Sequence, residues 1–564
     1  MEEKSHRETE PARRLNRRTF LKAALGVTST ALLAACAPAS TPSPTAAPAK
    51  PAGGAQPTAA SGGAPAAAAA PTAASAEKVG TETIRLVIGV DPDTLDPVGQ
   101  TTTTIQNIVD YVNESLLSLG EDGKMRPALA ESWEASPDGK SYTFKLRQGV
   151  TFHDGAPFNA EAVKLSWDRL LSPNIKAPLR GLMTTVDSVT VVDPNTVRFN
   201  LKAPLPPFLA AMTASAYAIV SPNTAKNFPT SYNEEPVGTG PYMYKSRVKG
   251  SEVVLVRNEK YWGRKPYYQT VQIKIAPEAA TRESLLLAGQ ADIIILPPVS
   301  DIPKLQANNQ VKVIMGQSDR TIYMAIDCTR SGPTKDKIFR QALNYAVDKE
   351  GIIKSVLFGA AQLSDAPMAP SLFGYAKSGP YPYDPNKAKE LLKQGGYNNV
   401  SIKMYYPTGR YVQDAAASQA IMGNLRDVGI NVEGQTMDWP TYMATVNVAP
   451  EKSTGDVHML GWAPMMLDAA QQMVQFQKSN WPPAGLAGAH YTNPQVEDLL
   501  NKANVNTNEK ERADQYAQAS KIIWDDAPWI FLWVQNFPIV HSAKVKGVGS
   551  IATEKWSAIY AEPA

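Results

Sequence analysis

Cysteine is nearly absent. Only Cys36 and Cys328 occur in 564 residues, so once Cys36 is committed elsewhere no intramolecular disulfide can form and stability has to come from core packing. Histidine is scarce too, with five in the chain. His153, His458, His490 and His541 show no HxxxH or HxH spacing, which leaves a catalytic zinc site without support. An excess of charge of either sign is missing: the formal net charge is +3, which favours neither nucleic acid nor a strongly acidic partner. Long apolar runs are missing as well. The one candidate, Ala23 to Ala35, falls below the ~20 residues that span a hydrocarbon core. No GxSxG nucleophile elbow occurs, and Gly238-Thr239-Gly240 is followed by Pro241 instead of the Lys-Ser/Thr of a phosphate loop. Nothing in these patterns indicates an enzyme, a metal or a cofactor.

What is present begins at the N-terminus. "NRRTFLK", Asn16 to Lys22, precedes the short apolar run, which stops at "LLAAC". Arginines, a modest apolar core and small residues before a break form the layout of an export signal. The doubled arginine resembles a twin-arginine signal, an address read by a receptor, and the break resembles a lipoprotein lipobox. Residues 1–36 are therefore expected to be a signal whose Cys36 is lipidated and holds the chain on a membrane surface; an ordinary cleaved signal with an incidental cysteine is the alternative. Residues 37–76 are dominated by Ala, Pro, Thr, Ser and Gly and contain no aromatic residue. Ordering them would cost backbone entropy with no burial to offset it, so they are expected to be a disordered spacer that sets the body clear of the headgroups.

About 490 residues remain, enough for two or three domains, and 43% apolar with 19% charged residues is ordinary for a globular body. "TIRLVIGV" from Thr83 predicts a strand. "SVTVVDPNTVRFNL", Ser188 to Leu201, predicts a hairpin about Asp193-Pro194-Asn195. Val163, Trp167 and Leu170 share a helical face after a possible Asn159 cap, and Asp384, Pro385 and Gly395 mark both ends of a short helix. From Val400 to Trp462 strands and helices alternate, which predicts an α/β lobe with a largely parallel sheet.

Five segments carry a resemblance: Pro127 to Trp167, "PVGTGPYMYKSRVKGSEVVLVRNEKYWG" from Pro236, "FRQALNYAVDKEGIIKSVLFG" from Phe339, "PYPYDPNKAKELLKQGGY" from Pro380, and "DAPWIFLW" from Asp526. In order and spacing they resemble the peptide/nickel-type extracytoplasmic solute-binding proteins of ABC importers. The resemblance implies a two-lobed α/β flytrap with an extra subdomain in the first lobe. First-lobe residues would be 77–323 plus a return at 529–564, and second-lobe residues 324–528, with crossings near "TIYMAID" and "WIFLWVQ". It implies a monomeric receptor that closes on a peptide-like or other small solute and presents the closed shape to permease subunits. An oligosaccharide receptor, or a sensor of the same fold without transport, are the alternatives. "FHDG", Phe152 to Gly155, is expected to be a surface turn in this family.

Site candidates follow from the resemblance. Peptide-binding members carry "GWxxD", whose aspartate pairs with the ligand's α-amino group; here Gly461 and Trp462 match, but Met465 replaces the aspartate. A buried ammonium facing a thioether is disfavoured. Unless Asp468 takes the role, the site should prefer ligands without a free α-amine, and an aspartate installed at 465 should raise affinity for free N-termini. Thr408, Gly409 and Arg410 fall on the family's contacting positions, where Arg410 either clamps a carboxylate or stays exposed at a helix start. Tyr323, Tyr411 and Trp462 are candidate stacking walls. Thr103, within the run Thr101 to Thr104, either touches ligand or belongs to a helix cap.

Overall fold

The computed structural model describes residues 80–92, 94–99, 102–175, 177–226, 235–464 and 466–564. The expected signal, Cys36 and the spacer lie outside them, as do Thr101 and Met465. Among the described residues no helix is long and apolar enough to cross a membrane.

Local signals set the elements. The strand Thr83–Ile88 forms, and Val186–Asp193 pairs antiparallel with Thr196–Leu201 about the Asp193-Pro194-Asn195 turn. Asn159 accepts from the Ala162 N–H at 3.1 Å and starts the helix Ala160–Leu171, which buries Val163, Trp167 and Leu170. Asp384 likewise caps Pro385–Gln394 through the Lys387 N–H at 2.8 Å. Asp154-Gly155 makes the expected turn, with Gly155 at φ +84°. The turn also anchors a neighbouring segment, since His153 Nε2 lies 2.9 Å from the Gly240 oxygen. Gly240 and Gly238 are needed for approach, since a Cβ at either would stand within 2.7 Å of the Val112 carbonyl.

Three sheets carry the architecture. The first lobe holds a seven-stranded sheet in the order Val311–Gly316, Phe537–Ser542, Ile293–Ile295, Thr83–Ile88, Thr270–Ile275, Glu252–Arg257, Tyr242–Val248. Its extra subdomain is the antiparallel sheet Ala130–Ala135, Ser141–Leu146, Thr196–Leu201, Val186–Asp193, whose core gathers Phe144, Trp167, Phe199 and Phe208. The second lobe holds Ala361–Leu363, Trp529–Gln535, Thr321–Ile326, Val457–Trp462, Ser401–Pro407, Asn431–Met437.

That third sheet corrects two expectations. It is mixed: Ser401–Pro407 runs parallel to both neighbours, but Thr321–Ile326 is antiparallel to Val457–Trp462 and to Trp529–Gln535. The expectation read only the alternating stretch and missed the two strands that arrive from elsewhere in the chain. Those strands also move the crossings. Thr321–Ile326 and Trp529–Gln535 are buried along their whole length inside the second lobe's sheet, so the chain changes sheet at 317–320 and again at Asn536, and not at 323/324 and 528/529. Both strands are apolar on both faces because each face has its own core. Ile322, Met324, Ile326, Ile530 and Leu532 enter one cluster, while Tyr323, Ala325, Trp529 and Phe531 enter the other, as period-2 side chains do; past Leu532, where the pairing shifts register, Trp533 joins the first cluster and Val534 the second.

Glu114 ties the first lobe's two subdomains together. It accepts from Tyr261 Oη, Trp262 Nε1 and Thr239 Oγ1, each at 2.8 Å. Burial pushes its carboxyl up to about 7, against the three donors. A folded pKa above the unfolded value means that the native state binds the extra proton between about pH 4.5 and 7. The stabilisation is therefore full below that window and is lost as pH rises through it, on the order of 3 kcal/mol. Urea unfolding from pH 5 to 8 should show this slope, and Glu114→Gln should flatten it.

Candidate functional site

Ligands of open α/β sheets collect beyond the carboxyl ends of parallel strands. In the second lobe those ends belong to Ser401–Pro407, Asn431–Met437 and Val457–Trp462, whose following loops are neighbours. The first loop, Thr408 to Gln413, is organised by one buried carboxylate. Asp414 accepts the backbone N–H groups of Gly409 at 3.1 Å, Arg410 at 2.7 Å, Tyr411 at 3.0 Å and Ala415 at 2.8 Å. Gly409 sits at φ +77°, a conformation that costs other residues about 1–2 kcal/mol. The Thr408 N–H donates to the Met437 oxygen at 3.0 Å, and Tyr411 Oη accepts the Gly461 N–H at 2.8 Å, which fastens the loop to the strand bearing Trp462. Asp414→Asn, which exchanges one acceptor oxygen for an amide, should cost about 1–2 kcal/mol of stability in urea unfolding.

Arg410 projects from this loop into solvent. Its guanidinium lies 5.1 Å from the Tyr411 ring centroid and 5.0 Å from that of Trp439, at the head of the helix Trp439–Val446. It pairs with no carboxylate among the described residues. Partial desolvation, and then repulsion from Arg320, lower its pKa; solvent still reaches the side chain, so the crowding is partial. Arg320 itself is committed. At the crossing it forks onto Glu554, Nε to Oε1 at 2.8 Å and Nη2 to Oε2 at 2.7 Å, and Ser318 Oγ adds a bond to Oε1 at 3.0 Å. Burial and then the Glu554 charge raise the pKa of the buried Asp319 well above its ordinary value. Arg410, unlike Arg320, has no carboxylate partner among the described residues.

Two candidates are corrected. Tyr323 is no wall of the cleft: it is 1% exposed, stacks on Trp529 and lies in the lobe core, because its position in the strand points it away from the even-numbered face. Asp468 is no amine clamp. Arg512 holds both of its oxygens, at 2.8 and 2.5 Å, in the interior, and Asp468 also caps the helix Ala469–Met473 by accepting the Ala470 N–H. Its place is fixed by a residue 44 positions further on, which no local pattern reveals. Trp462 is half-buried, with Nε1 donated to the Gln471 oxygen at 3.0 Å. Thr103 begins the helix Thr103–Val112, and Thr102, at the cap position, makes no side-chain cap bond. Met465 lies outside the described residues; its neighbour Met466 is buried in the core of the first lobe's four-stranded subdomain, so this segment reaches across the cleft. Asp414, Trp439, Arg320 and Glu554 were not anticipated, although an aspartate five residues after a loop glycine and just inside a helix is a readable signal for Asp414.

The histidines form structure. His490 Nδ1 lies 3.1 Å from Asp327 Oδ2 in the interior, and burial drives His458 down to about 4. Among the described residues no group of three His, Cys, Asp or Glu side chains is placed to hold a metal ion.

Residues 124–483 match the model of bacterial extracellular solute-binding proteins, family 5 (middle). The chain belongs to that family. It is a solute-binding receptor of the kind that serves ABC importers. A glutathione-binding protein, GsiB, of Pectobacterium atrosepticum is 31% identical over 468 residues, covering 82% of this chain and 90% of that relative. Among solved structures, the ABC transporter-associated periplasmic binding protein DppA from Helicobacter pylori, in complex with the peptide STSA, is 26% identical with a TM-score of 0.71 over 85% of this chain and 98% of its own. NikA from Brucella suis, in complex with Fe(III)-EDTA, is 26% identical with a TM-score of 0.77 over 86% of this chain and 100% of its own. The two-lobed fold is shared throughout, while the cargo named for each differs, so the fold does not choose the ligand.

Proposed function

We propose that the chain captures a small, acidic, peptide-like solute in the cleft bounded by the 408–414 loop and the segment after Trp462, and delivers it to an ABC importer permease from a lipid anchor at Cys36. The observation that carries this reading is Arg410, a cation seated on two rings, repelled by Arg320 and paired with no carboxylate among the described residues. A guanidinium so placed gains most from a ligand carboxylate, which it can meet with two parallel hydrogen bonds. The α-amine is the less favoured end. By the sequence resemblance, Met465 falls where peptide-binding members carry the aspartate of GWxxD, and Asp414, Asp468 and Glu554 each have partners already.

Native mass spectrometry of the gently purified chain weighs whatever the cleft retains. An acidic solute, with an amide or a blocked nitrogen where the α-amine would be, is expected; a retained sugar would overturn the reading. A paired titration sharpens it. Glutathione, suggested by the names of relatives, and its N-acetyl derivative should bind comparably, whereas a loss of more than about tenfold on acetylation would show that another carboxylate holds the amine. Labelling with a tritiated fatty acid should mark the wild-type chain and not Cys36→Ser.

A further inference from the structure

A second-lobe residue lies in a first-lobe core. In the cluster that packs the four-stranded subdomain, every other buried member falls between Val98 and Ile219; Met466, 4% exposed, is the exception. Its attachments belong to the second lobe. The Met466 N–H donates to Gln471 Oε1 at 3.3 Å, and the Met466 oxygen accepts the Asp468 N–H at 2.7 Å. Around it, the Leu467 oxygen accepts the Phe373 N–H at 3.0 Å, and the Phe373 oxygen accepts the Ala469 N–H at 3.0 Å. The buried Asp468–Arg512 pair fixes the same turn, and Ala469 and Met473 continue it into the second lobe's own core. A segment held at so many points carries its tip wherever the second lobe goes.

Two first-lobe turns meet second-lobe side chains nearby. A Cβ at Gly123 would stand 3.5 Å from Leu467 Cδ1, and one at Gly139 would stand 2.5 Å from Thr507 Cγ2. Methionine suits an inserted tip, since its unbranched thioether adapts to an irregular seat. Its burial removes apolar surface from water whatever the cleft contains. Turning the lobes apart must either draw Met466 out of the first-lobe core or tear its attachments, and the buried ion pair makes the second course the costlier.

We propose that Met466 is a latch: seated in the first lobe, it favours the closed arrangement independently of solute, so part of the population is closed before any solute arrives. This rests on the reading above only in taking the lobes to close on their cargo. A bias toward the binding-competent state raises the affinity of every solute by the same factor. Met466 therefore sets how tightly the receptor holds its cargo, while the cleft sets which cargo it holds.

Pulsed dipolar spin resonance measures the separation of the lobes in the full chain, with Cys36→Ser and Cys328→Ser as background and labels at Val192→Cys and Asp514→Cys, both exposed positions. Without added solute, the chain with Met466 should show a short-distance component beside a longer one. Met466→Gln keeps the length but would have to bury an amide, and should reduce the short component at least about fivefold; Met466→Leu should retain it. Thr507→Trp sets bulk on an exposed residue opposite Gly139 and should reduce the short component while leaving the core intact. Circular dichroism checks that each variant folds. Glutathione is then added at about 5 mM, and its dissociation constant should be about tenfold weaker in Met466→Gln. A short component missing from the Met466 chain under both conditions, or equal in that chain and in Met466→Gln, overturns the latch. A component that falls in the variants but ignores glutathione keeps the latch and rejects glutathione as cargo, whereas one that grows with glutathione equally in all chains keeps the cargo and overturns the latch.

Discussion

Asp468→Ala should lower stability by about 3–5 kcal/mol, the largest effect expected of any single substitution at the candidate site. Arg512 would keep its burial and lose the only carboxylate paired with it among the described residues. The side chains of the pair are 6% and 5% exposed, so water cannot replace the lost partner without opening the lobe. The remaining contacts of Arg512 are the Ala503 oxygen at 3.1 Å, the Tyr516 hydroxyl, and the Phe373 and Tyr516 rings, none of which carries a full negative charge. Urea unfolding of the variant measures the loss. Combining Asp468→Leu with Arg512→Met should recover most of it, because an apolar pair of similar volume leaves no stranded ion. A loss below about 1 kcal/mol in the single variant would mean that the pair is hydrated and that Asp468 is free for other work.

Arg410→Ala should weaken binding of a carboxylate ligand by about 100-fold, or about 2.7 kcal/mol, with little change in unfolding. The two halves of that statement separate a ligand-binding arginine from a structural one. The side chain is exposed and pairs with no carboxylate among the described residues, so removing it leaves no buried charge stranded and costs the fold little. Arg410→Lys should recover part of the affinity, since a point charge supplies attraction without the fork. Isothermal titration with the solute retained by the wild type, repeated as the amide of its carboxylate, distinguishes the cases. If the amide binds as tightly as the acid, the guanidinium is not the carboxylate's partner.

The sequence was most readable where cause and effect lie within a few residues. Asn159 and Asp384 cap helices whose N–H groups are three positions away, and the Asp193-Pro194-Asn195 turn closes strands that it also separates. The candidate site was readable in its loop, where Thr408, Gly409 and Arg410 are consecutive, and unreadable in its walls. Tyr323 meets Trp529, and Asp468 meets Arg512, only after the chain has returned from a distant segment. A tyrosine beside a crossing looks the same in sequence whether its strand register turns it to the cleft or to the core. The mixed character of the second lobe's sheet was hidden for the same reason: alternation reports which elements follow one another, not which strand enters between them.

The late position of Trp529–Gln535 and Phe537–Ser542 bears on how the protein is made. Each enters the interior of a large sheet, the first between Ala361–Leu363 and Thr321–Ile326, the second between Val311–Gly316 and Ile293–Ile295, and every other strand of the two sheets precedes both. A nascent chain that has not yet reached 529 therefore carries two sheets with a gap in each, and neither lobe can close ahead of the other. Folding must wait for synthesis to pass this point and then join segments far apart in the chain, which makes it slow. Until then four strand edges stand open to any chaperone, or to another copy, that reaches them first.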